Sequence, residues 1–402
     1  MSSEWGWSLR VGPDGSRVPT WGGWRIGVAG AWPRIGRRPS AAPAARVTRA
    51  DVVVVTLGRG AAMGERRRVA SWVRIAGEGG LTAMEVPLLQ HCRSTIPTLG
   101  QVWAVLRGAS VPETLAWSPR RLDRILAAHP RRAVIYVTTR AFPPGPTPSG
   151  TPVFDFVDQL SLSYRDRSAI ADRRRGRLAY RVLAASHARA ERRVRPATGR
   201  RVAAGLADAA ALHAEYLPIV VEPGSTADTR PDVDVLFIGT LTYPPNQAAL
   251  RVLARQWPAI LDARPATTAL IAGAHPPDEV RALATRLGWE LVADFPDASA
   301  VYARARVAVA PLNHAAGIQI KVIDAAGQGL AQVVFAPATA GLPAGFPAVV
   351  ADEATFAGEV VGLLDDDDRR NRLGREARRW TDEHLAPAVW APWLRDVATP
   401  AV

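Results

Sequence analysis

Three residues in one short stretch have the types and spacing for phosphate chemistry: Gly317, Lys321 and Asp324, within RVAVAPLNHAAGIQIKVIDAAGQGLAQVVF at 306–335. Lys321 is the only lysine among 50 basic residues, so a chain that otherwise writes Arg places a compact ammonium here. Spacings of four and three put the three residues on one helix face. The first turn of such a helix presents backbone N–H groups and a positive dipole end, a natural seat for phosphate. Gly317 would let backbone approach closely, Lys321 would supply a point charge, and Asp324 would accept hydrogen bonds from sugar hydroxyls. The plainer alternative for Lys321 is a solvated basic residue with an Asp partner.

The elements around them must form a strand–loop–helix–strand unit. Val307–Ala310 is an apolar run stopped by Pro311, and a short loop of small and polar residues follows. A helix is expected from Ile318, with Ile318, Val322, Ala325 and Ala326 inward and Gly327 and Gly329 at its end. Ala331–Phe335 is the next strand. The loop then opens at the carboxyl end of a strand, where open α/β sheets bind ligands.

Similar alternation runs along the chain. Strands are expected at Trp24–Ala29, Asp51–Leu57, Ala133–Thr138, Val153–Val157, Arg201–Ala203 and Leu217–Val221. After a polar, Pro/Gly-rich stretch, more follow at Val233–Ile238, Thr267–Ala272 and Glu290–Ala293, with helices between them. The fold class is α/β: two Rossmann-like domains facing a cleft, each a parallel sheet with helices on both faces. The expected division is an acceptor domain at 1–221, a linker at 222–232 and a nucleotide-binding domain at 233–375. A helical segment at 376–402, with Trp380, Trp390 and Trp393, would pack back on the first domain.

Composition narrows the class. The chain has 402 residues, 48% of them hydrophobic and 22% charged, as in a globular protein. A single Cys, Cys92, excludes an internal disulfide and a cysteine zinc cluster. Neither a secretory signal nor an 18-residue apolar run is visible, so a cytoplasmic location is expected. The net charge of +13 is concentrated at 161–203, where 13 Arg face Asp166, Asp172 and Glu191. This patch is either an Arg-rich solvated helical hairpin or a surface for an anionic partner. Without regularly interleaved aromatics, contact with anionic membrane at the inner face suits it better than nucleic acid, and no nucleic-acid partner is expected.

Three segments, FIGTLTYPPNQAALRVL (237–253), LIAGAHPPDEV (270–280) and APLNHAAGIQIKVIDAAGQGLAQVV (310–334), resemble the nucleotide-sugar-binding domain of family 4 glycosyltransferases. These are retaining enzymes of the GT-B fold, and DFVDQLSLSYRDR (155–167) is similar to a stretch of their first domain. The resemblance covers about 133–345. It implies transfer of a sugar from a nucleoside-diphosphate sugar to an acceptor (a glycan, a lipid-linked molecule or a small molecule), with no metal and no resident cofactor.

By that resemblance Lys321 and Asp324 are the catalytic pair: Lys321 counters charge on the departing diphosphate, and Asp324 stands where the family has the Glu that holds the ribose. The donor-binding set is Gly239, Thr240, His314, Gly317, Ile318 and Gln319. His314 also reads as a solvated loop residue. Arg140, Asp155 and Asp158 are acceptor-side candidates, the two Asp reading equally as turn or cap residues. The first acidic residue of the family motif falls on Ala316, and no Arg or Lys occurs over 240–246. Those departures favour the rival reading, a GT-B-shaped binding or scaffold protein without catalysis.

Overall fold

The computed structural model of the chain describes residues 7–11, 17–21, 50–58, 63–94, 97–107, 110–129, 131–143, 150–170, 174–194, 199–221, 231–295, 297–315 and 317–399. The strand expected at Trp24–Ala29, most of the linker and Ala316 lie outside the described residues. A short antiparallel ribbon, β1 (Trp7–Val11) with β2 (Arg17–Trp21), precedes the first domain.

The first domain runs β3 (Val52–Thr56), α1 (Met63–Glu78), β4 (Ala83–Pro87), α2 (Leu88–His91), α3 (Leu99–Leu106), α4 (Pro119–Ala128), β5 (Ala133–Val137), β6 (Thr151–Asp155), α5 (Leu160–Ile170), α6 (Arg174–Arg193), β7 (Arg200–Ala203), α7 (Leu206–Leu212) and β8 (Glu215–Tyr216). Its strands pair in parallel in the order β4-β3-β5-β6-β7-β8. Four successive valines explain the position of β3. Every residue of this strand is buried, as a strand covered on both faces requires, and β-branched side chains suit the pleat.

The second domain runs β9 (Val233–Ile238), α8 (Pro244–Ala263), β10 (Ala269–Gly273), α9 (Asp278–Leu287), β11 (Glu290–Ala293), α10 (Ala298–Ala303), β12 (Ala305–Ala310), α11 (Ile320–Gly327), β13 (Ala331–Phe335), β14 (Val349–Ala351), α12 (Phe356–Asp365), α13 (Asp367–His384) and α14 (Pro387–Ala398). Its sheet is also all parallel, in the order β11-β10-β9-β12-β13-β14. Strand order reverses between β9 and β12 here, and between β3 and β5 in the first sheet. Each sheet therefore has a switch point, where the loops at its carboxyl end part to make a crevice.

Three expectations need correction. Leu217–Val221 is buried but pairs in no ladder: Leu217 N–H donates to Ala203 O (2.9 Å), Val220 N–H to Ser71 Oγ (3.1 Å) and Val221 N–H to Leu385 O (2.9 Å). This segment leaves the sheet edge and crosses to the second domain. The strand expected at Val153–Val157 ends at Asp155, because Val157 turns to a φ of +64°. The boundary at 375/376 falls inside α13. The chain returns to the first domain one element later, where Leu394 and Val397 of α14 pack with Trp72 and Ile75 of α1.

Candidate active site

Lys321 sits at the switch point of the second sheet. Its Nζ donates to Asn246 Oδ1 at 2.5 Å and lies 5.5 Å from the Phe237 ring centroid. Asn246 is itself fixed, since its Nδ2 donates to Thr240 O at 2.9 Å. A Cβ on Gly239 would stand 2.7 Å from Asn246 Nδ2 and 3.3 Å from Lys321 Cε, so only glycine lets the loop after β9 close over this pair. Burial pushes the Lys321 ammonium down to about 8. The lysine is therefore positioned by the PPN turn, a partner to which the sequence reading gave no role.

Asp324, one turn further along α11, has a different partner. Its Oδ1 pairs with Arg67 Nη2 of α1, across the two domains. Burial raises the Asp324 carboxyl to about 6, with Arg67 and then Arg74 opposing the rise. The expected pair thus shares a helix face but not an environment: Lys321 looks to its own domain and Asp324 to the other.

Gly317 does not share that face. The helix begins at Ile320, and Gly317 lies in the preceding loop at a φ of +66°. A Cβ there would be 3.2 Å from Asp158 Cβ, so both conformation and space call for glycine. Gln319 is the N-terminal cap position, Ile318 packs against the core of the second domain, and His314 is exposed.

The first domain brings residues from the carboxyl end of its own sheet to the same place. Asp158 is half-buried beside Gly317, and burial raises its carboxyl above the usual range, with Arg140 and Arg167 opposing the rise. Asp208 Oδ2 lies 3.9 Å from the position of that same Cβ. Its carboxyl is pushed up to about 6 by burial and then by Asp158. Arg140, after β5, donates to Tyr164 Oη at 3.0 Å and stands 3.5 Å from Glu113 Oε1. Glu113 also meets His187 Nε2 at 3.3 Å, while Thr139 Oγ1 and His187 Nδ1 share a 2.6 Å hydrogen bond.

Asp155 does not face the cleft. It is fully buried, with Oδ2 accepting from Arg68 Nε and Trp72 Nε1, both at 2.6 Å. Its other oxygen accepts from Val157 N–H at 3.0 Å. The acceptor-side expectation for Asp155 is therefore corrected: it clamps the turn that presents Asp158. The clamp matters because Val157 and Thr138, both β-branched, hold φ of +64° and +65°.

Sequence reading missed Arg67, Asn246, Asp208 and the Glu113–His187 pair. Asn246 carried a signal, its place in the quoted PPN motif; the others meet the site only through contacts distant in sequence. Among the described residues no three His, Cys, Asp or Glu side chains gather as a metal ion would require.

With this geometry in hand, comparison with known proteins places the halves differently. Residues 232–366, about a third of the chain and all of the second domain's sheet, match the family model described as Glycosyl transferases group 1. No curated protein matches the chain. Among solved structures the fold is similar to HepE of Anabaena in complex with UDP-glucose, at 11% identity and a TM-score of 0.58, covering 86% of this chain and 98% of that one. It is similar also to the trehalose-6-phosphate synthase OtsA (12% identity, TM-score 0.55, 87% of this chain and 99% of that one). A third similar structure is TarM of S. aureus, in complex with fondaparinux, alpha-GlcNAc-glycerol and UDP (11% identity, TM-score 0.51, 67% of this chain). The chain spans 55% of the length of TarM. At these identities the likeness establishes the fold, two Rossmann-like domains in the GT-B arrangement.

Proposed function

We propose that this protein is a glycosyltransferase that moves a sugar from a nucleoside-diphosphate sugar to an acceptor, with retention of anomeric configuration and without a metal ion. The observation that carries this reading is the meeting of loops at the carboxyl ends of the two sheets. The chain's single lysine, buried and locked by Asn246, stands beside the Gly239 loop within the residues that match the Glycosyl transferases group 1 model. The Gly317 loop, a few residues before that lysine, touches Asp158 of the first domain.

In this reading the donor's diphosphate lies against the Gly239–Thr240 loop and the first turn of α11. Lys321 neutralises the charge that builds on the diphosphate as the glycosidic bond to it breaks. Asp324 holds the ribose hydroxyls, and Arg67 opposes the rise of its carboxyl until the nucleotide arrives. Arg67 also brings a cation from the opposite domain to α11. Asp158, backed by Asp208, faces the acceptor hydroxyl, and closure of the domains excludes water.

The test is calorimetry with UDP, GDP, dTDP and ADP compounds on wild type and Lys321→Ala. Binding of one diphosphate by wild type and its loss in the variant support the site; no binding by either removes it. The rival, a GT-B-shaped binding protein, is favoured by Ala316 and predicts nucleotide-sugar binding without turnover whatever acceptor is offered.

A further inference from the structure

The Arg-rich stretch folds into a helical hairpin, α5 against α6, whose two faces differ sharply. Inward, Leu160, Tyr164 and Ala184 form a small core, and Glu191 accepts from Ser161 N–H (3.0 Å) and Ser161 Oγ (2.6 Å). That inward turn removes one of the hairpin's few carboxylates from the surface. Outward, nine arginines of the two helices are exposed against one exposed carboxylate, Asp166. Along α6, Arg174, Leu178, Arg181, Val182, Ala185 and Arg189 fall at i, i+4, i+7, i+8, i+11 and i+15, so they form one exposed stripe. Leu178 is 64% exposed and Val182 56%, and Leu162 of α5 is 39% exposed.

Leu178 and Val182, exposed at the middle of the cationic stripe, give it an apolar component that charge pairing alone would leave in water. Nucleic acid would pair with the arginines and leave those side chains in water. A bilayer surface accommodates both: headgroups take the guanidinium groups while short apolar side chains enter the acyl boundary, and long Arg side chains reach back to the phosphates. The hairpin is rooted at the acceptor side of the cleft, through the hydrogen bond from Arg140 to Tyr164 Oη.

We infer that the outer face of α5 and α6 is a docking surface for an anionic lipid bilayer. This surface is independent of the donor site.

Full-length protein is tested by flotation with vesicles of phosphatidylcholine, with and without phosphatidylglycerol, at low and high ionic strength. Two double variants accompany it, Arg174→Glu with Arg181→Glu and Leu178→Ser with Val182→Ser. Circular dichroism and nucleotide calorimetry report whether each remains folded, since these exposed residues lie outside the donor site. Wild type is expected to float with anionic vesicles only. The charge variant should lose about tenfold or more in partitioning. The apolar variant should lose the fraction that stays bound at high salt. No binding to anionic vesicles, or binding that neither variant weakens, overturns the inference. So does preferential binding to duplex or single-stranded nucleic acid that is indifferent to Leu178→Ser and Val182→Ser.

Discussion

The two sheet ends that face each other are built in opposite ways. In the second domain the chemistry comes from short local stretches: the loop after β9, the PPN turn, and α11 with the loop before it. Glycine supplies the close approaches, and the side chains are few. In the first domain the same position is made of residues from α1, β5, β6, α6 and α7, drawn together by packing, and its backbone is held out of line at Thr138 and Val157. One site is a motif; the other is an assembly held by a buried clamp. The first should fail through individual contacts and the second through loss of order.

The largest effect tests the clamp. Asp155→Ala leaves the buried Arg68 guanidinium with the Pro218 carbonyl but no counter-charge and takes the carboxylate from the Trp72 N–H, and breaking a buried ion pair costs about 3–5 kcal/mol. Hydrogen exchange is expected to quicken across β5, β6 and β7 and to stay slow across β9, β12 and β13. Equal loosening of both sheets would mean that the first domain has no separate weakness.

Next comes Lys321→Ala. Truncating one partner of a desolvated, hydrogen-bonded charge contact costs about 2–5 kcal/mol of ligand affinity. Calorimetry should show nucleoside-diphosphate binding reduced by that amount with the thermal transition nearly unmoved. Lys321→Arg should not rescue it, because a guanidinium replaces a point charge already within 2.5 Å of Asn246 Oδ1. Full affinity in Lys321→Arg would show that the space around the ammonium is looser than the geometry indicates.

The domains also differ in how much of each could be read from sequence. The strand–loop–helix–strand unit around Lys321 was legible because its signals are local: an apolar run, a proline, a helical period and glycines at the end. Even there Gly317 was placed on the helix face when it belongs to the loop, since spacing alone does not say where a helix starts. Asp155 shows the deeper limit. It stands three residues before Asp158 and is just as acidic, yet Arg68 and Trp72, more than 80 positions away, take its carboxylate into the core. Nothing in the sequence near 155 distinguishes the two. Arg67, beside Arg68 in a plain basic run on α1, meets Asp324 only through domain packing.

Acid–base behaviour sharpens the contrast at a smaller scale. Donor binding in the proposed reading needs Lys321 charged and Asp324 ionised. Raising the pH through about 8 discharges Lys321, and lowering it through about 6 protonates Asp324. Affinity for a nucleoside diphosphate should therefore be greatest between these values and fall about tenfold for each pH unit beyond the alkaline limb. In Arg67→Ala the charge opposing the rise of the Asp324 carboxyl is gone, so the acid limb should move toward neutral pH while the alkaline limb stays. An acid limb at the same pH in both proteins would place Arg67 outside the donor site.

The smallest effect bears on the strained backbone itself. Thr138 is buried at a φ of +65°, and its Oγ1 has no hydrogen-bond partner among the described residues. Such a backbone conformation costs about 1–3 kcal/mol, and a buried unpaired hydroxyl adds to it. Thr138→Gly relieves both and gives back about 0.5–1 kcal/mol through the flexibility of the unfolded chain. The net expectation is a gain of about 1 kcal/mol, raising the thermal midpoint by about 2–4 °C for a domain of this size. Activity should fall at the same time, because Thr139 and Arg140 follow directly and hold His187 and Tyr164. A variant that is both more stable and fully active would mean that the strain at β5 is incidental. Stability gained with turnover lost would show that the first domain keeps its site by holding the backbone where it would not otherwise rest.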